Sequence, residues 1–165
     1  MGFSKIIYEG EYKNGERNGK GKEYNWFDDY LVFEGEYLNG KRNGKGKEYN
    51  SNADIIFEGE YLNGERNGNG KEYEDGELIF EGEYLNGLRN GKGKEYDIWN
   101  GKLVFEGEYL NGERNGKGKE YDWKNGILKF EGEYLYDYKI KGKQYYLDGK
   151  LEYDGEYLYD KKYNG

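Results

Sequence analysis

Phe33-Glu34-Gly35-Glu36-Tyr37-Leu38-Asn39-Gly40-Lys41-Arg42-Asn43-Gly44-Lys45-Gly46-Lys47-Glu48-Tyr49 recurs with small changes down the whole chain. Its Glu/Asp-Gly-Glu core falls at Gly10, Gly35, Gly59, Gly82, Gly107, Gly132 and Gly155, at separations of 25, 24, 23, 25, 25 and 23 residues. A fixed period of this size marks a repeat architecture, in which one unit cannot bury its apolar face alone and neighbours stack to do so. Residues 1–165 therefore read as a single array of about seven units, starting near Ile6, Leu31, Ile55, Leu78, Leu103, Ile127 and Leu151.

Within a unit, an apolar and aromatic run such as Leu31–Leu38 reads as a strand. Asn39-Gly40 follows as a tight turn, because both residue types tolerate positive φ. A second extended segment ends at Glu48-Tyr49. Asp75-Gly76, Asn100-Gly101, Asn125-Gly126 and Asp148-Gly149 mark hairpins on the opposite edge, and residues 25–29 and 50–54 form longer links. Proline is absent and no segment has helical spacing. The predicted fold is all-β: an unclosed, elongated up-and-down meander of about 13 antiparallel strands. Side chains alternate faces, so Phe33, Gly35 and Tyr37 share one face and Glu34, Glu36 and Leu38 the other. Pairing Tyr37 with Gly46 would set Glu36 opposite Lys47 and Gly35 opposite Glu48, with a tyrosine ring over bare glycine backbone. The same pairing recurs as Glu11–Lys22, Glu60–Lys71, Glu83–Lys94 and Glu108–Lys119. The last two units depart from the pattern. Tyr136, Tyr138 and Ile140 stand where earlier units carry the Asn-Gly turn, and the strand Leu151–Leu158 lacks the usual following partner. These units either cap the C-terminus or end a stretch excised from a longer array.

The composition narrows the chemistry. The chain has no Cys, His or Thr, and its serines are Ser4 and Ser51. That removes disulfides, thiolate and imidazole metal ligands, and the usual nucleophile–base pairs. Carboxylate pairs remain in Glu-Gly-Glu, but a pair copied along an array is a surface pattern, whereas an active site is usually unique. No catalytic residue, metal ligand or cofactor is expected. The net charge of −8 argues against nucleic acid as a partner. No apolar run approaches a membrane span, and no signal-peptide core follows Met1. A soluble, cytoplasmic protein is the default expectation. The charge would fit disorder, but the 21 Tyr, 7 Phe and 3 Trp recur at fixed places, which fits a folded chain.

Tyr8-Glu9-Gly10-Glu11-Tyr12-Lys13-Asn14-Gly15-Glu16-Arg17-Asn18-Gly19-Lys20-Gly21 resembles a MORN (membrane occupation and recognition nexus) repeat. The resemblance runs from about residue 6 to residue 158. It departs from the family's frequent Trp at Tyr12, Tyr37 and Tyr61, and from its frequent His at Asn18, Asn43 and Asn67. The resemblance implies a single-layer twisted sheet with an aromatic-lined groove. It also implies non-enzymatic work: binding protein partners, self-association and tethering at membranes.

Three functions follow as expectations. The first is a scaffold that binds a protein or peptide through Tyr12, Phe33, Tyr37, Phe57, Tyr61, Phe80, Tyr84, Phe105 and Tyr109, and that forms homo-oligomers through Tyr136, Tyr138, Ile140 and Tyr157. The same rings also serve as the core of a thin sheet, the simpler reading for most of them. The second is a peripheral tether in which Arg17, Arg42, Arg66, Arg89 and Arg114 meet anionic lipid phosphates. The acidic chain and Glu16, Glu65 and Glu113 beside those arginines weaken it. The third is an idealised or excised array with no native partner.

Overall fold

The computed structural model describes residues 7–163, so the unit start near Ile6 lies outside the described residues. Hairpins follow one another along the chain. β1 (Tyr8–Lys13) and β2 (Glu16–Tyr24) come first, then β3 (Leu31–Leu38) and β4 (Lys41–Tyr49), and β5 (Ile55–Leu62) and β6 (Glu65–Glu74). β7 (Glu77–Leu85) and β8 (Leu88–Tyr96) are followed by β9 (Leu103–Leu110) and β10 (Glu113–Tyr121). β11 (Leu128–Leu135) and β12 (Tyr138–Tyr145), then β13 (Leu151–Leu158) and β14 (Lys161–Tyr163), complete the order. The 14 strands of the described residues form one unclosed sheet in chain order.

Two details of the end differ from expectation. The strand Leu151–Leu158 does have a partner, the short β14. Tyr136-Asp137 also makes the same turn as Asn-Gly, with φ of 50° and 66°.

The register differs from the predicted one throughout. Gly35 faces Gly46, Glu34 faces Lys47 and Phe33 faces Glu48, while Tyr37 faces Arg42. Glu36 therefore stands opposite three residues, Asn43, Gly44 and Lys45. The cause is the second Asn-Gly of the unit, which forms a bulge inside β4 with Gly44 at φ 103°. The Glu36 carboxylate folds over that bulge, and at the equivalent bulges Glu60 and Glu108 accept the Asn69 and Lys117 backbone N–H at 2.8 and 2.7 Å. Bulges of this kind are positioned features that pin a register. In the other hairpins Lys22, Lys71, Lys94 and Lys119 likewise face Glu9, Glu58, Glu81 and Glu106.

One glycine per strand aligns from Gly10 in β1 to Gly155 in β13, each opposite the next. The core lies on one side of this strip. Phe33, Phe57, Phe80, Phe105 and Phe130 are 0% exposed, and Tyr37, Tyr61, Tyr84, Tyr109 and Tyr134 are buried beside them. The rings meet edge to face without a break from Tyr12 to Tyr153, with centroids 5.0–5.8 Å apart. Such contacts add about 0.5–1.5 kcal/mol each beyond burial. The ring over bare glycine is therefore phenylalanine rather than tyrosine. A Cβ on Gly46 would come within 2.3 Å of Phe33 Cζ.

Candidate functional site

The two faces of the sheet have different chemistry. On the aromatic face Phe33, Phe57, Phe80 and Phe105 each lie between glycine backbone and a guanidinium. Arg42, Arg66, Arg89 and Arg114 sit 4.0–4.1 Å above the centroids of Phe33, Phe57, Phe80 and Phe105. Each arginine also reaches back to a glutamate of the preceding unit. Arg66 Nε and Nη2 bind both Glu48 oxygens at 3.0 and 2.7 Å, and Arg89 binds Glu72 in the same way at 2.9 and 2.7 Å. The hydroxyls of Tyr61 and Tyr84 donate to the same two carboxylates. Burial opposes the charge on Glu48 and Glu72. Hydrogen bonds from Arg66 and Arg89, then from the tyrosines, overcome it and hold both carboxyls below the ordinary range. In the sixth and seventh units Lys139 and Lys162 take the arginine's place, pairing with Glu120 and Glu152 at 2.7 and 2.6 Å.

The opposite face is a trough of about 1650 Å³ that runs from Glu34 on β3 to Asp154 on β13. Its floor is the glycine strip, flanked by two rows of charges. The first row alternates in sign on every strand: Glu34, Lys47, Glu58, Lys71, Glu81, Lys94, Glu106, Lys119, Glu131, Lys143, Asp154. Its members pair with one another, as in Lys47–Glu58 at 3.4 Å and Lys22–Glu34 at 3.7 Å. They also bind the tyrosines at the link edge, where Tyr73, Tyr96 and Tyr121 donate to Glu58, Glu81 and Glu106 at 2.6–2.7 Å.

The second row contains Glu36, Lys45, Glu60, Asn69, Glu83, Lys92, Glu108, Lys117, Glu133 and Lys141. Lys45, Lys92, Lys117 and Lys141 are exposed, and their ammonium groups form no ion pair among the described residues. Leu38, Leu62, Leu85, Leu110 and Leu135 recur along the hairpin edge at 43–50% exposure.

Of the rings expected to meet a partner, only Tyr12 is exposed, at 60%. Phe33, Tyr37, Phe57, Tyr61, Phe80, Tyr84, Phe105 and Tyr109 are the buried core, because backbone covers them on one side and guanidinium on the other. Arg17, Arg42, Arg66, Arg89 and Arg114 do align, but as half-buried ion pairs stacked on rings. They are not a row of free cations. Tyr136, Tyr138 and Ile140 are exposed, whereas Tyr157 is buried at 6% and closes the core. The charged trough was missed, although its signal is plain in Glu-Gly-Glu and Lys-Gly-Lys. Those triplets place like charges on one face of a strand, and antiparallel pairing interleaves them.

The family model for the MORN repeat matches residues 8–25, 33–54, 57–77, 80–102 and 105–128. No curated protein matches the chain. No helix among the described residues is long and apolar enough to cross a membrane.

Proposed function

The chain belongs to the MORN repeat family, a non-catalytic repeat type, and from that premise we propose that it is an interaction scaffold that holds a polypeptide partner along the trough. The observation that carries this is the pairing of a continuous concave face with unengaged groups. Lysines that make no internal ion pair line it, and half-exposed leucines recur along the hairpin edge on the same face of their strands. Apolar area supplies the affinity of such a surface, while charge sets register and excludes wrong partners. The buried rings hold the trough in shape. Lipid phosphate is less well supported, because each arginine's charge is already met by a glutamate.

The test is selection of short random-sequence peptides from a display library on the full chain. Enriched peptides are expected to bind about tenfold or more weakly to a variant carrying Lys117→Glu and Leu110→Ser, whose circular dichroism matches the unaltered chain. Peptides indifferent to both changes, or no enrichment over a folded control protein, would overturn the trough as the binding face.

A second reading, self-association at the C-terminal end, is favoured by one specific observation. Tyr136 and Tyr159 occupy turn positions at φ of 50° and 49°, where units one to five use asparagine. Both rings are exposed, at 60% and 71%, and Tyr159 meets Tyr138 edge to face at 5.6 Å. A bulky residue in the left-handed region costs about 1–2 kcal/mol, and backbone strain gathers at functional positions. Light scattering at micromolar concentration is expected to give twice the monomer mass. Tyr136→Asn with Tyr159→Asn should return the monomer while raising the urea midpoint. A monomer for the unaltered chain would sink this reading.

A further inference from the structure

The second charge row has one interruption. Lys20, Lys45, Lys92, Lys117 and Lys141 occupy equivalent positions on β2, β4, β8, β10 and β12, but β6 carries Asn69. Asn69 lies between two carboxylates. It faces Glu83 across the β6–β7 pairing, and its backbone N–H donates to Glu60 Oε2 at 2.8 Å. Elsewhere an ammonium separates successive carboxylates of this row. Here a neutral amide does, so Glu60 and Glu83 are the two successive carboxylates of the row with no lysine between them. The shorter side chain also leaves space. A separate depression of about 460 Å³ opens at this point, lined by Asn69, Gly68, Glu83, Leu85 and Asn90 among others.

We propose that the polypeptide held in the trough seats a lysine or arginine at Asn69, between Glu60 and Glu83. This inference rests on the trough being the binding face. The lattice is neutralised strand by strand except at β6, so the site favours a cation from outside. The Asn69 amide oxygen is free to accept a hydrogen bond from that cation, which a lysine there would repel. The mid-array position also answers a question that a repeat surface raises. A periodic trough offers a ligand several equivalent registers about 10 Å apart, one per two-strand unit. A single missing charge makes one of them lower in free energy than the rest, as a lone polar residue fixes the register of a coiled coil. The occupant is therefore a chain with a defined basic residue rather than any charged polymer.

The experiment uses peptides selected from the same random library, with each selection repeated on Asn69→Lys. Asn69 is exposed, so folding should be unaffected, as an unchanged urea midpoint would verify. Peptides selected on the unaltered chain are expected to share a lysine or arginine at a fixed place. They should bind Asn69→Lys about tenfold or more weakly. Changing that basic residue to glutamine should weaken binding to the unaltered chain by a similar factor, with little further loss on Asn69→Lys. This is the coupling expected of groups in contact. Lys92→Asn, which opens a second gap, should admit peptides with a second basic residue. Peptides that enrich and depend on Lys117 and Leu110, yet lack a common basic residue and bind Asn69→Lys equally well, would overturn this inference and leave the trough standing. No enrichment at all would overturn both. Binding of spermidine that is sensitive to Asn69→Lys, with no peptide enriched, would assign the gap to a small cation and overturn the polypeptide.

Discussion

Gly82→Ala is expected to destabilise the array by about 3 kcal/mol or more, at the upper end of what overpacking costs. The added Cβ would sit 2.6 Å from the Lys92 carbonyl oxygen and 2.7 Å from Gly93 Cα, with Phe80 Cζ 2.8 Å away. The first two atoms are backbone of the paired strand β8. Relief therefore requires β7 and β8 to part, or Phe80 to leave its place beneath Arg89. Gly87 in the same hairpin is the control. Its φ is +84° and nothing lies within 4 Å of an added Cβ, so Gly87→Ala costs only the conformational term of about 1–2 kcal/mol. In a quasi-one-dimensional array the damage should also be local. The urea m value is expected to fall as the units on either side unfold separately. Equal midpoints for Gly82→Ala and Gly87→Ala would show that the glycine strip does not set ring-to-backbone distance.

Alkali is the second large perturbation. Burial, then hydrogen bonding to or repulsion by Glu48, Glu72, Glu95 and Glu120, pushes the phenols of Tyr61, Tyr84, Tyr109 and Tyr134 well above their ordinary value. Burial and the trough glutamates push Tyr73, Tyr96 and Tyr121 up to about 12. A group whose pKa is raised by folding contributes stability that is present below the unfolded value, near 10, and lost as pH rises above it. Each buried phenol then lowers the unfolding free energy by about 1.4 kcal/mol per pH unit. The first four alone remove roughly 5 kcal/mol over one unit, comparable with the whole stability of many domains. Cooperative unfolding is expected between about pH 10 and 12, with tyrosinate absorbance and loss of circular dichroism coinciding.

The acid side runs the other way. Glu48, Glu72 and Glu95 have lowered values, so their contribution holds above about 4.3 and is lost as pH falls through their folded pKa. With no histidine in the chain, stability should be nearly flat in between. Smooth ionisation of most tyrosines near pH 10 without loss of structure would refute this account of the core.

The sequence by itself determined what depends on neighbours along the chain. The period, the strand–turn–strand unit, the antiparallel chain order and the division of Phe33 and Tyr37 from Glu34 and Glu36 all follow from alternation and from Asn-Gly turns. Tertiary structure decided what depends on residues far apart in sequence. Each of the first five units contains two Asn-Gly pairs between its strand cores, and local propensity does not distinguish the one that turns the chain, Asn39-Gly40, from the one that bulges, Asn43-Gly44. That choice shifts the register by two residues, which sets glycine against glycine and moves Lys47 from Glu36 to Glu34. The partner of Arg66 is Glu48, 18 positions earlier in the preceding unit, so no reading of a single repeat contains it. Burial was decided in the same way. A phenylalanine in a thin sheet is covered only when glycine backbone lies on one side, its own unit's cation on the other and the next unit's tyrosine at its edge, as Arg42 and Tyr61 close over Phe33, which leaves the trough to the charged rows.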